Sequence, residues 1–259
     1  MDFNGTAGMP SNLVFGGSLA KRGQFPWQAY LTFDKGDVYY VCGGSLISPQ
    51  HILTAAHCPV NTTSGTAMVG LVQINTAYRT PGVQIKRVKS YRKLRKYTGT
   101  GNYHDDIAIL TLESNVTMSE YVKTIKILKD DKDILDAPKN TVSGFGNYKF
   151  KGGSGVSSNR LRYVEIVDTQ ICAGSKGKGS GPGDSGGPLQ VTVDKEVIQI
   201  GLVSFGGIDE AQLLDQADYP GKIEVVRLEN MILLLVIYIR VSSYCDFMER
   251  GTKGLFKCQ

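Results

Sequence analysis

The 259-residue chain has no apolar run approaching the roughly 18 residues that cross a bilayer as a helix, so no membrane partner is expected. Its first residues, Met1-Asp-Phe-Asn-Gly-Thr-Ala-Gly, lack the charged and then apolar regions of a secretory leader. Charge of one sign is not in excess: 29 Lys and Arg against 24 Asp and Glu leave +5, too little to argue for a nucleic-acid partner. There is no internal repeat and no Gly-X-Y period, which excludes a solenoid and a collagen. No helical period of useful length occurs before the last twenty or so residues. Hydrophobic residues at 41% and charged residues at 20% exclude a disordered chain.

Glycine is plentiful, with 31 residues. Its short runs punctuate apolar segments of five to nine residues, which reads as turns between strands. The segments are 27–33, 39–47, 67–74 and 107–112, then 141–145, 161–167, 188–193 and 197–205. Such a pattern predicts an all-β chain built as antiparallel barrels or a sandwich. Met118 to Ala137 is polar and loop-like, a link between two halves. Ser242 to Arg250 has a Ser cap and apolar spacing, predicting a short C-terminal helix. Lys86 to Lys96 carries seven positive charges; it reads as a polyanion patch or as a solvated strand and loop face.

Five cysteines occur, an odd count: Cys42, Cys58, Cys172, Cys245 and Cys258. Together with sequons at Asn4, Asn61 and Asn115 they lean towards a secreted protein. An incomplete N-terminus or an isolated domain would reconcile this with the missing leader.

Three segments carry chemistry. They are Leu53-Thr-Ala-Ala-His57-Cys58, Asp106-Ile-Ala-Ile-Leu110 and Gly183-Asp184-Ser185-Gly186-Gly187-Pro188. A serine that attacks an amide needs a base to take its proton and a carboxylate to hold that base in one tautomer. It also needs backbone N–H groups aimed at the developing oxyanion, which glycines around the serine can present. The order His, Asp, Ser distinguishes one fold solution from others that use the same triad.

These motifs, in this order, resemble the chymotrypsin family of serine proteases. Val14-Phe-Gly-Gly17, Gly23-Gln-Phe-Pro-Trp27, Val203-Ser-Phe-Gly206, Tyr219-Pro-Gly221 and Arg240-Val-Ser-Ser-Tyr244 extend the likeness over nearly the whole chain. The resemblance implies an all-β fold of two antiparallel six-stranded β-barrels, at about 25–117 and 138–241, with a short C-terminal helix. Residues 1–13 would be a propeptide-like segment, 14–250 the protease domain and 251–259 a tail.

It further implies Ser185 as nucleophile, His57 as general base and acid, and Asp106 as the orienting carboxylate, with Asp105 a surface loop acid. The backbone of Gly183 and Ser185 would form the oxyanion hole. Ser204, Phe205 and Gly206 would bind substrate, with Gly179 as pocket floor and Gly221, like Gly206, as pocket wall. Val14 and Asp184 would form an activation pair after cleavage behind Leu13. The floor carries no acid and Lys176 and Lys178 stand nearby, so an apolar or aromatic P1 residue is expected. Cys42 and Cys58 should bridge. Cys245 and Cys258 either bridge or stay as two thiols. Cys172 should be unpaired, because a dozen or more residues of the family pattern are missing before Ile171.

One stretch departs from the family. Residues 222–236 stand between Tyr219-Pro-Gly221 and Ile237-Tyr-Ile-Arg240, where the family has continuous sequence. The insertion is expected to harm activity, which leaves an impaired or mis-spliced homologue, or a partner-binding module, as the alternative to an active enzyme. No cofactor or metal is implied. The expected partners are protein or peptide substrates, protease inhibitors and a polyanion at 86–96, with the chain itself a secreted monomer.

Overall fold

A computed structural model describes residues 17–99, 104–135, 139–151, 154–166, 180–206 and 236–259. Strand β1 is Ser18–Leu19, and six strands then build a barrel: β2 Gln28–Lys35, β3 Val38–Ser48, β4 His51–Thr54, β5 Ser64–Val69, β6 Gln84–Lys93 and β7 Ala108–Leu112. They close in the order β2-β3-β4-β7-β6-β5, all antiparallel. The period-2 pattern explains the closure. On β2, Ala29, Leu31 and Phe33 are buried while Tyr30, Thr32 and Asp34 stand half-buried on the other side. Strand β4, between two segments expected as strands, is buried along its whole length.

The second half is a six-stranded antiparallel sheet. Its strands are β8 Asn140–Gly144, β11 Arg162–Ile166, β12 Pro188–Val193, β13 Glu196–Gly206 and β14 Val236–Arg240, joined at one edge by β1 from the far end of the sequence. A separate hairpin pairs β9 Asn147–Lys151 with β10 Ser154–Ser157. Val142, Val164, Leu189, Ile200 and Tyr238 form the apolar interior of this half. The expected link, Met118 to Ala137, holds a 3-10 turn, Lys132–Ile134, among its described residues, and it is anchored, because Val122, Ile125 and Ile127 are buried in the barrel core.

Strand β14 bears on the inserted stretch. Ile237 to Arg240 pairs with β13, Leu202 opposite Ile239 and Gly201 opposite Arg240. Arg240 Nε donates to Asp131 at 3.0 Å, neutralising a buried carboxylate. Val236, the last residue of the inserted stretch, is the buried first residue of the strand. The rest of 222–236, like Val14, Cys172, Gly179 and Gly221, lies outside the described residues.

After β14 come a 3-10 turn, Val241–Tyr244, and helix α1, Cys245–Gly251. Val241, Cys245, Met248 and Phe256 pack into the core of the first barrel, not the second. Helix α1 presses so closely on β7 that a Cβ on Gly251 would strike Ile109 Cδ1. Disulfides join Cys42 to Cys58 and Cys245 to Cys258, so the last two cysteines are a bridge and not two thiols.

Buried side-chain hydrogen bonds stitch the halves together. Trp27 Nε1 donates to Gln190 Oε1 at 2.7 Å, Ser45 Oγ to Gln199 Oε1 at 2.6 Å, and Ser143 Oγ to Gln28 Oε1 at 2.8 Å. Removing one partner of such a pair strands the other in a dry interior. Gln190→Met keeps the bulk and removes the acceptor from Trp27, the single tryptophan. Urea unfolding followed by tryptophan fluorescence should show a loss of about 1–3 kcal/mol; an unchanged midpoint would show that the bond adds nothing.

Candidate active site

Asp106 lies just before β7 and is fully buried. A buried carboxylate needs donors, and three reach it. Oδ1 accepts from the backbone N–H of His57 at 2.9 Å. Oδ2 accepts from His57 Nδ1 at 2.8 Å and from Ser204 Oγ at 2.5 Å. A donor bond from Nδ1 fixes the neutral tautomer of His57 with Nε2 as the ring's acceptor. Ser204 reaches the carboxylate because the register of β13 on β14 shifts between Val203 and Phe205, a bulge that turns the hydroxyl inward.

The turn Gly183 to Gly187 is held against the segment that carries His57. Gly43 N–H donates to Ser185 O at 2.7 Å, and the bridged Cys58 Sγ lies 3.8 Å from the same oxygen. Gly186 has φ +80°, and a Cβ there would strike Thr54 Oγ1 and lie 2.6 Å from Gly43 O. Only glycine fits, on conformation and on space. The Cys42–Cys58 sulfurs sit within 4.8 Å of a His57 ring nitrogen; with both sulfurs in a disulfide, the group is a brace and not a metal site.

Inside the turn the amides divide into two sets. Those of Asp184, Gly186 and Gly187 donate to Gly181 O, Val203 O and Asp184 O. Those of Gly183 and Ser185 donate to no acceptor among the described residues. Two unspent N–H groups beside a half-buried serine can receive a developing oxyanion. Phe205 and Gly206 run beyond Leu202, the last residue of β13 that pairs with β12.

Asp184 is fully buried, its carboxylate cradled by Gly146 N–H at 2.7 Å and Gly181 N–H at 2.9 Å. Burial outweighs these donors and pushes its pKa up to about 6. The sequence motif singled out Asp184, but nothing local pointed to Gly146 as its partner. Asp105 departs from expectation. It is half-buried with φ +56°, and it accepts a 3.0 Å bond from Tyr244 Oη, so it is no surface loop acid. Burial and the Asp105 charge together raise the Tyr244 phenol well above its ordinary range.

Residues 14–215 match the trypsin family model. The chain belongs to the trypsin family of serine proteases. It is 34% identical to a venom protease of Bombus pensylvanicus, over 90% of this chain and 96% of that protein. It is 33% identical to coagulation factor IX of Oryctolagus cuniculus, over 74% and 75% of the two chains. It is 30% identical to a CLIP domain-containing serine protease of Anopheles gambiae, over 93% of this chain and 70% of that one. Within the trypsin family, the arrangement here has both halves of the chain contributing to one cluster around Asp106.

A raised carboxylate pKa has a definite linkage sign. The folded state holds the Asp184 proton more tightly than the unfolded state, so this stabilisation is complete below about pH 4 and is lost as pH rises through about 6. Between about pH 4 and pH 7 the stability of the wild type should fall relative to Asp184→Asn by about 3 kcal/mol, from a shift of 3.8 to about 6. Chemical denaturation across that pH range checks it; a constant difference between the two proteins would contradict the burial argument.

Proposed function

We propose that the chain is a serine endopeptidase that hydrolyses peptide bonds through an acyl-enzyme. The observation that carries this reading is the three-donor clamp on Asp106, which orients the ring of His57, with the Ser185 turn bonded to Gly43 of the same barrel. In the proposed cycle His57 takes the Ser185 proton as Oγ attacks the scissile carbonyl, and the N–H groups of Gly183 and Ser185 receive the oxyanion. His57⁺ then gives its proton to the leaving amine, and water repeats the sequence to free the acyl group. Asp106 stays ionised and stabilises the imidazolium. Ser204 to Gly206 bind the substrate backbone as an extra strand.

Three finer readings accompany it. A new α-amino group at Val14 would neutralise Asp184, whose burial makes it receptive to a cation. The disulfides support an oxidising, extracellular setting; the proposed partners there are protein substrates and protease inhibitors, and the chain itself is proposed to be a monomer. A polyanion is the proposed partner of the 86–96 cluster: Arg87, Lys89, Arg92, Arg95 and Lys96 are exposed and pair with no carboxylate among the described residues. The alternative reading, an impaired homologue, is favoured by one feature, the inserted stretch beside the proposed pocket wall at Gly221.

A labelled fluorophosphonate separates the two. It should label the purified chain at Ser185, and Ser185→Ala should lose labelling together with several orders of magnitude in kcat. Absence of labelling in a chain that calorimetry shows to be folded would establish the impaired homologue. With no acid at the proposed pocket floor, Gly179, and lysines near it, p-nitroanilides with Phe, Tyr, Leu or Met at P1 should be cleaved faster than one with Arg. Faster cleavage of the Arg substrate would overturn the pocket assignment.

A further inference from the structure

Tyr244 sits where the 3-10 turn meets helix α1, far in sequence from the histidine and the carboxylate of the site, yet its hydroxyl ends on the residue next to Asp106. Three features make that contact more than incidental. First, Asp105 holds a left-handed backbone conformation, φ +56°, which a non-glycine residue adopts only at some cost. The same residue's carbonyl accepts from Ile107 N–H at 2.7 Å, closing a tight loop around Asp106. Second, the element that presents Tyr244 is fixed. Cys245 is bridged to Cys258, and Cys245 and Met248 are buried in the first barrel. Third, the same helix touches β7 directly, with Gly251 against Ile109, three residues past Asp106. The helix therefore holds this strand on both sides of the carboxylate, by apolar contact at Ile109 and by hydrogen bond at Asp105.

From this arrangement we infer that Tyr244 is a positioning residue for the reaction proposed above, holding Asp106 in register with His57 through Asp105. This rests on the endopeptidase reading for its kinetic consequence, but not for its structural one. Asp105 is an acceptor whose charge the role does not need. Asparagine should replace it, since its side-chain oxygen accepts the same bond, whereas alanine should not.

The test uses the full-length chain with Tyr244→Phe, Asp105→Ala, Asp105→Asn and the Tyr244→Phe/Asp105→Ala pair, at a temperature where calorimetry shows all four folded. Two readouts are taken: steady-state kinetics, and the solvent exchange of the His57 Nδ1 proton by ¹⁵N-resolved NMR. In Tyr244→Phe and Asp105→Ala, kcat should fall about three- to tenfold with KM little changed. The Nδ1 proton should exchange at least about threefold faster, as its bond to Asp106 loosens. Asp105→Asn should keep wild-type values of both. The double variant should be no worse than either single one, the mark of two groups acting as one. Wild-type proton exchange in Tyr244→Phe, or additive losses in the double variant, would overturn the proposal. If the wild type itself neither turns over substrate nor takes the fluorophosphonate, the endopeptidase reading fails instead, and the proton exchange still decides whether Tyr244 positions Asp106.

Discussion

A single buried carboxylate sets the terms for much of this structure. Asp106 has no access to water, so its charge is tolerable only if protein donors replace the lost hydration. They come from separate places: the backbone and ring of His57 in the first barrel, and the hydroxyl of Ser204 on a strand of the second sheet. Neither half can satisfy Asp106 alone. The seam bonds of Trp27, Ser45 and Ser143 with Gln190, Gln199 and Gln28 impose the same condition elsewhere along the interface. Polar atoms buried from both sides give the interface one permitted alignment, which an apolar seam would leave looser.

Crowding around Asp184 is a second constraint. The carboxylate has so little room that a Cβ on Gly144 would strike its Oδ1, and one on Gly146 would lie 2.5 Å from its Cγ. A Cβ on Gly187 would come within 2.8 Å of Asp184 O, and one on Gly43 within 2.9 Å of Gly187 Cα. The glycines on these three separated segments thus serve one local purpose, letting three stretches of backbone meet at van der Waals distance. Within the motif Gly-Asp-Ser-Gly-Gly-Pro, Gly183 and Gly186 also hold left-handed conformations, with φ +97° and φ +80°.

Much of this could be read in the sequence, for identifiable reasons. Strands such as 188–193 carry both turn signals and apolar character within a few residues, so their place along the chain was legible. The motifs around His57, Asp106 and Ser185 were legible because the chemistry itself demands those residue types and flanking glycines. Strand β6 was harder to see, because lysines and arginines run along it and its apolar residues Ile85 and Val88 are only half-buried. Strand β1 has two residues and no pattern at all; it is a strand because Arg162 and Tyr163 are there to pair with it. Asp105 was misjudged for the same reason. Its partner, Tyr244, is 139 positions away, and no local pattern announces so distant a contact.

The placement of helix α1 has a consequence for how the molecule comes into being. The first barrel takes its strands from residues 28–112, but its core also contains Val241, Cys245, Met248 and Phe256. During synthesis from the N-terminal end, that barrel emerges well before the side chains that finish its interior. Until they arrive, apolar surface on β7, including Ile109, has no cover. The first half to be made is thus the last to be sealed. The first barrel therefore cannot complete its own core as an independent unit, because part of that core belongs to the C-terminal end of the chain.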